Sequence, residues 1–384
     1  MNYELPTPVK WALNRLSSCS YEAYAVGGCV RDIFLGEIPH DWDVCTSASP
    51  RQVIDCFADV RVVATGVKHG TVTAMLDGQP VEITTYRVDG GYADHRHPDE
   101  VKFTASLRED LARRDFTINA MAFRPDTGVI DYFGGQADLA EGVIRCVGNP
   151  DDRFSEDALR MLRALRFASR FGFDIERNTA DALLRHKDEL RYVAVERILN
   201  ELSGMDFSRI NQRFLPVLQV PVPELETLES PLGLPPEPAI RLAALLRGLD
   251  AKPILMRLKA SSSLTERVCV LVEEQDRTVR PDVVSVRKLL RRIGPGAAAQ
   301  LLILQGNAAA QTVLRDVLNH GDAYTLAQLE VNGNDLVKMG LSGKQVGIAL
   351  ESLLTQVIEG DLPNEYDMLM KAVGIAATMN GALY

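Results

Sequence analysis

No apolar run in this chain reaches the roughly 18 residues that a membrane-spanning helix needs, and the opening segment MNYELPTPVKW has no apolar core such as a secretory leader carries. A cytoplasmic chain with no membrane association is therefore expected. The six cysteines (Cys19, Cys29, Cys45, Cys56, Cys146, Cys269) stand singly, with no CxxC pair and no histidine at zinc-ligand spacing. They are expected as buried or incidental thiols. Positive charge is also short: the net charge is −10, which argues against a protein that coats nucleic acid indiscriminately. No internal repeat or low-complexity tract is present, and GLSGKQVG lacks the GxxxxGK[ST] spacing of a P-loop.

What is there begins with length. At 384 residues, 46% of them hydrophobic and 24% charged, the chain is expected to form more than one domain with sizeable cores. Up to about residue 150, short β-branched runs mix with short helical stretches. EAYAVGG, DWDVCTS, GTVTAML and VEITTYR read as strands, and CVRDIFLG and SPRQVIDCF as helices. Beyond that point helical periodicity dominates. One helix is expected over Ser155–Phe171, with Ser155 as N-cap and Gly172 as its stop, and another over Ala194–Leu202. The proline-rich stretch from Pro216 to Pro238 marks a linker or an irregular crossing before later helices such as VRKLLRRI and KQVGIALESLLTQVIEG.

Two carboxylates stand out in HDWDVC. Residues two apart on a strand face one side, so Asp41 and Asp43 would present two negative charges together, with Glu82 of VEITTYR as a third oxygen donor on a nearby strand. Mg2+ suits such a set, since it takes oxygen ligands and bridges to phosphates. A lone Asp-x-Asp is more often a solvated or helix-capping pair. Context matters: Gly27-Gly28 ends the preceding strand and opens a helix that carries Arg31, a place for a phosphate.

Farther along, Asp157, Arg160, Arg163 and Arg166 fall at helical spacing on one face. Like charges in a stripe cost stability unless a phosphate or several acids compensate. A carboxylate accepts from an exocyclic amino group while a guanidinium donates to a ring nitrogen, a combination that cytosine and adenine offer and that uracil and guanine oppose. Asp157 with Arg160 would thus accept CTP and ATP. A basic stripe from Arg280 to Arg292, with Arg287, Lys288, Arg291 and Arg292, is either a solvated helix face or a nucleic-acid contact, and Lys344 at a glycine-led helix start is a further candidate.

Together AVGGCVRD, HDWDVCTSASP, GVKHGTVT, VEITTYRVDGGYADHRHP, SLREDLARRDFTINAMA, DYFGGQADL, RFSEDALRMLRALRFASRFGF and VERILNEL resemble the class II tRNA nucleotidyltransferases, the bacterial CCA-adding enzymes and their poly(A)-polymerase relatives, over roughly residues 21 to 202. That resemblance implies an α+β chain. A polymerase-β-like nucleotidyltransferase head with a mixed sheet (residues 1–150) would precede an all-helical neck (151–205), body (206–325) and tail (326–384). It implies transfer of C, C and A from CTP and ATP to the 3′ end of tRNA, with A addition alone or poly(A) synthesis as the alternative, and no protein partner. It assigns Asp41 and Asp43 to Mg2+ with Glu82 in support, and Gly28 and Arg31 to the triphosphate. Arg114 and Asp115 fall to the ribose, Asp157 and Arg160 to the base, and Arg163 and Arg166 to further nucleotide contacts. Glu196 and Arg197 brace the base-reading helix, and Arg287, Lys288, Arg291, Arg292 and Lys344 are candidates for tRNA. The segment 87–107, with Asp94 and Arg96 as a latch, matches a flexible loop present in relatives that add the final A. Trp42 and His97 depart from the usual pattern. The only His-Asp dipeptide, His40-Asp41, lies inside the nucleotidyl motif, so no phosphohydrolase activity is expected.

Overall fold

A computed structural model describes residues 4–89, 101–231 and 233–381. Two compact units emerge, the first of residues 1–228 with the short return Arg257–Lys259, the second of 229–256 and 260–384.

In the first unit, helix α1 (Thr7–Ser18) buries Val9, Ala12, Leu13 and Leu16, a three- and four-residue spacing that turns one apolar stripe inward. There follow β1 (Ala23–Val26), α2 (Gly28–Phe34), β2 (Asp43–Thr46), α3 (Pro50–Cys56), β3 (Val62–Val63), β4 (Thr71–Leu76) and β5 (Gln79–Thr85). Ser49 caps α3 in a reciprocal capping box with Gln52, and Pro50 opens its first turn. Strands β6 (Arg87–Asp89) and β7 (Val101–Phe103) pair with each other, and α4 (Leu107–Ala112), β8 (Met121–Arg124) and β9 (Gly128–Asp131) come next. The seven-stranded sheet runs β3-β4-β5-β2-β1-β8-β9, with β2 and β5 parallel and every other neighbour antiparallel. This is the expected mixed sheet. β4 alternates half-buried and buried residues, with Val72, Ala74 and Leu76 inward, which pins its register. The expected loop over residues 87–107 instead has strand at both ends and a helix start at Leu107; Asp94, Arg96 and His97 lie outside the described residues.

After α5 (Gly135–Glu141) and β10 (Val143–Ile144), the helix expected over Ser155–Phe171 proves to be two, α6 (Pro150–Glu156) and α7 (Leu159–Phe171). The cause is Asp157. Its backbone is extended (φ −146°, ψ 102°) and its carboxylate accepts from the Leu159 N–H at 3.1 Å, so the chain stops one helix and restarts another. Ser155 lies in the last turn of α6, whose N-cap is Asn149. Gly172 ends α7 in the left-handed conformation, as its position suggested. Strand β11 (Asp174–Ile175), α8 (Arg177–His186), α9 (Val195–Ser203) and α10 (Leu215–Leu218) complete the unit.

Helices α11 (Pro238–Leu245), α12 (Ala251–Arg257), α13 (Ser262–Glu274), α14 (Val283–Leu304), α15 (Ala308–His320), α16 (Gly333–Lys338), α17 (Lys344–Glu359) and α18 (Tyr366–Gly381) follow. α14 is kinked where Gly294, at φ 73°, precedes Pro295. Leu336, Leu353, Leu354, Val357, Ile358 and Leu369 form one apolar core near the chain's end.

Cys19, at the end of α1, is joined to Cys56, at the end of α3, with Cα atoms 6.4 Å apart. That overturns the expectation of six isolated thiols. A separation of 37 residues carries no motif, and only the packing of α1 and α3 brings the pair together. Cys29, Cys45 and Cys146 are buried thiols, as expected.

Candidate active site

The turn between β1 and α2 is built on Gly27, whose backbone (φ 82°, ψ −133°) suits glycine alone. A Cβ there would stand 2.9 Å from Nη1 of Arg114, so the bare backbone lets that guanidinium lie against the turn and beside Asp43. Gly27→Ala is expected to cost about 1–3 kcal/mol of stability through the positive φ, checked by denaturant unfolding, and to misplace Arg114.

Asp43 opens β2, and Glu82 sits directly across from it in the parallel register with β5. Asp41 lies before the strand rather than on it, whereas the spacing suggested both aspartates on one strand. Among the described residues no three Asp, Glu, His or Cys side chains meet at metal-ligating distance, so Glu82 is a neighbour in register rather than a placed third ligand. The electrostatics nonetheless suit a cation. Burial, above all, raises the Asp43 carboxyl above its ordinary range, the charges of Glu82 and Asp41 add to this, and Arg114 opposes it.

Asp43 shares a cavity of about 330 Å³ with Gly27, Gly28, Arg31, Arg114, Asp115, Asn119, Arg163, Arg166, Phe167 and Arg170. Five arginines thus face two aspartates, in a chain whose net charge is −10. Such a wall attracts a polyanion. Arg31 is buried: its Nε and Nη2 donate to Asp32 Oδ1 at 2.8 and 2.6 Å, and its Nη1 donates to Asn119 Oδ1 at 2.6 Å. Its guanidinium lies 5.1 and 4.9 Å from the ring centres of Phe167 and Phe171, while Arg166 lies 4.4 Å from that of Phe167. Arg114 donates to the buried Asp110 at 3.4 Å, and its Nε has no hydrogen-bond partner.

The arginine stripe on α7 is compensated by protein acids. Nε and Nη2 of Arg163 donate to Asp115 Oδ2 at 2.9 and 2.7 Å, and Arg166 donates to Glu201 at 2.5 Å. Arg160 pairs with Glu156 and donates to the carbonyls of Arg153 and Arg113 at 3.1 and 3.0 Å. Burial would raise the Asp115 carboxyl, but Arg163 and the Asn119 amide hold it down to about 2. A folded value below the ordinary one stabilises the fold above pH of about 4, and that stabilisation fades as pH falls toward 2. Asp115→Asn is therefore expected to lose about 2 kcal/mol at pH 7, with the gap to wild type closing in acid unfolding curves.

Asp157 and Arg160, expected as one reading pair, are not in the cavity lining and hold different partners. Arg197 on α9 donates to Asp157 at 2.8 and 3.3 Å, and Glu196 pairs with Lys259 at 2.8 Å. In the second unit Arg287 pairs with Asp322, Lys288 with Glu359, Arg291 with Glu351 and Arg292 with Glu274, all within 2.9 Å. The stripe is therefore a row of ion pairs rather than an open cationic face; Lys344 is exposed at the start of α17. Sequence reasoning missed Asn119, Phe167 and Arg170. Asn119 and Phe167 carry no charge to draw attention, but Arg170 continues the α7 arginine series by one helical turn.

Residues 23–145 match the Poly A polymerase head domain, and residues 239–373 match tRNA nucleotidyltransferase domain 2. The CCA-adding enzyme of Limosilactobacillus fermentum is 38% identical over 391 residues, covering 96% of each chain. That of Oceanobacillus iheyensis is 48% identical over 193 residues, half of this chain and 48% of that one. The Bacillus stearothermophilus CCA-adding enzyme, crystallised with CTP, superposes with a TM-score of 0.81 at 28% identity, covering 99% of this chain and 100% of that one. The Thermotoga maritima CCA-adding enzyme, complexed with tRNA, shares the fold at a TM-score of 0.68 and 22% identity, covering 97% and 96%. With a sheet-based catalytic unit, an arginine-walled cavity and relatives of this closeness along its whole length, the chain belongs to the CCA-adding enzymes, a family of class II tRNA nucleotidyltransferases.

Proposed function

We propose that this chain adds C, C and A in turn to the 3′ end of tRNA, from CTP and ATP with release of pyrophosphate, and that its own side chains choose the base in place of a template. The observation that carries this reading is the cavity itself: arginines from α2, from the segment after α4 and from α7 line it together with Asp43, whose register partner on β5 is Glu82. A triphosphate needs those cations, and a reacting α-phosphate needs carboxylates nearby to hold a metal.

Asp41 and Asp43 would hold Mg2+, with Glu82 in support; the raised Asp43 carboxyl, beside two other negative groups, is the feature that fits a dication. Bound there, Mg2+ supplies positive charge that makes the tRNA 3′-hydroxyl more acidic and steadies the leaving pyrophosphate. The chain's residues do the positioning. Gly28 and Arg31 hold the triphosphate, Arg163 and Arg166 add contacts, and Arg114 with Asp115 take the ribose. The displacement is in line, so no protein nucleophile is required.

Base choice falls to Asp157 and Arg160. Arg197 leaves the Asp157 carboxylate an unused acceptor site, and Arg160 reads a ring nitrogen by giving up one of its present acceptors. Glu196 and Arg197 brace this corner. The division into head (1–150), neck (151–205), body (206–325) and tail (326–384) assigns tRNA contact to the tail, with Lys344 the best-exposed candidate and Arg287, Lys288, Arg291 and Arg292 engaging phosphate by exchanging carboxylate partners. A cytoplasmic location accords with tRNA as substrate.

The test incubates purified protein and Mg2+ with tRNAs ending at the discriminator base, at C and at CC, plus CTP and ATP. Addition of three, two and one nucleotides, respectively, is expected. Extension only of the CC-ended tRNA would indicate A addition, and long A tracts a poly(A) polymerase.

A further inference from the structure

Asn119 is buried, sits at the end of the short 3₁₀ turn Thr117–Asn119, and belongs to neither the charged wall nor the sheet. Its amide nevertheless joins two halves of the cavity. Oδ1 accepts from Arg31 Nη1 at 2.6 Å, and Nδ2 donates to Asp115 Oδ1 at 3.0 Å. The orientation admits no alternative, because a guanidinium only donates and an ionised carboxylate only accepts. Asp115 in turn receives Arg163 from α7, and Arg31 is closed on its other side by Asp32. A continuous chain, Asp32–Arg31–Asn119–Asp115–Arg163, buried at its first three members and half-buried at the last two, thus runs from the α2 turn to the arginine helix, and its only neutral link is the amide. Alanine breaks both bonds, and aspartate keeps the acceptor while losing the donor.

We propose that Asn119 is a positioning residue that fixes Arg31 and Asp115 to one another, so that the triphosphate and the sugar of an incoming nucleotide are registered as one unit. The inference rests on the roles given above to Arg31 and Asp115. Asp157 and Arg160, to which base choice is given above, do not line the cavity that Asn119 lines, so base choice is not part of this role.

The experiment measures kcat and KM for CTP and 2′-deoxy-CTP on a tRNA ending at the discriminator base, using the full-length chain as wild type, Asn119→Ala and Asn119→Asp, with thermal unfolding of each. Asn119→Ala is expected to raise the KM for CTP about tenfold or more and to lower the preference for CTP over 2′-deoxy-CTP by a similar factor, since each lost bond is to a charged group. Its kcat at saturation should stay close to wild type, and UTP should remain rejected. Asn119→Asp should keep a near-normal KM through Arg31 and still lose sugar preference. A fall in kcat shared equally by both nucleotides, with the preference unchanged, would assign Asn119 a purely structural role and overturn the proposal. Should Asn119→Ala fail to fold, Asn119→Asp decides alone, and an unchanged preference there overturns it. A wild type that does not extend tRNA counts against the function, whereas a wild type that extends it beside variants at parity counts against Asn119 alone.

Discussion

Asp43→Asn is expected to lower nucleotide addition on the order of 10³-fold or more while leaving the chain folded, because charge stabilisation at the reacting phosphate is the largest catalytic contribution in such sites. The substitution keeps the side chain's shape and removes its charge. Burial and the neighbouring Glu82 and Asp41 charges raise the Asp43 carboxyl, so keeping it ionised costs the fold some stability. Removing that charge relieves the repulsion, and the melting temperature should hold or rise slightly. Loss of activity with unchanged or greater stability is the signature of a residue kept for chemistry. Single-turnover extension and thermal unfolding on the same preparation measure the two quantities. A fall in both would mean that Asp43 supports the fold instead.

Asp157→Ala should relax base choice by about 10–100-fold, read as the ratio of kcat/KM for CTP over UTP, since a good base-edge contact carries roughly 1–3 kcal/mol of discrimination. Three effects are combined in this variant. It removes the acceptor for the exocyclic amino group, it leaves Arg197 without the partner it holds at 2.8 Å, and it leaves the Leu159 N–H without the carboxylate that restarts the helix there. Arg197→Ala isolates the second: Asp157 stays but is no longer clamped, so discrimination should fall less. If Asp157→Ala kept the CTP preference intact, base reading would have to be assigned elsewhere.

The head's strands and short helices were legible because each carries a local signal: alternation in GTVTAML, the Ser-Pro start of α3, the Gly-Gly turn before α2. Strands β8 and β9 were not recognised, and the break at Asp157 was hidden. SEDALRMLRALRF has unbroken helical periodicity, and only the Asp157 carboxylate turning to the Leu159 N–H and to Arg197 ends α6 there. The charged cavity residues were legible by type and spacing. Their partners were not: Glu201 and Asp115 reach the α7 arginines from 35 and 48 residues away, and no local pattern encodes such distances. For the same reason Arg287, Lys288, Arg291 and Arg292 looked like an open basic face, although Asp322, Glu359, Glu351 and Glu274 pair with them. Asn119 lay inside RRDFTIN in plain view, but a neutral amide declares a role only once both of its neighbours are known.

The proposed reaction requires that the arginine-walled cavity of the first unit hold the nucleotide. A crystal structure of this chain soaked with CTP and Mg2+ tests that most directly. It should show the triphosphate against Gly28, Arg31, Arg163 and Arg166, with the sugar beside Asp115 and the α-phosphate facing Asp43. Ordered CTP in the second unit, with this cavity still empty at saturating nucleotide, would contradict it.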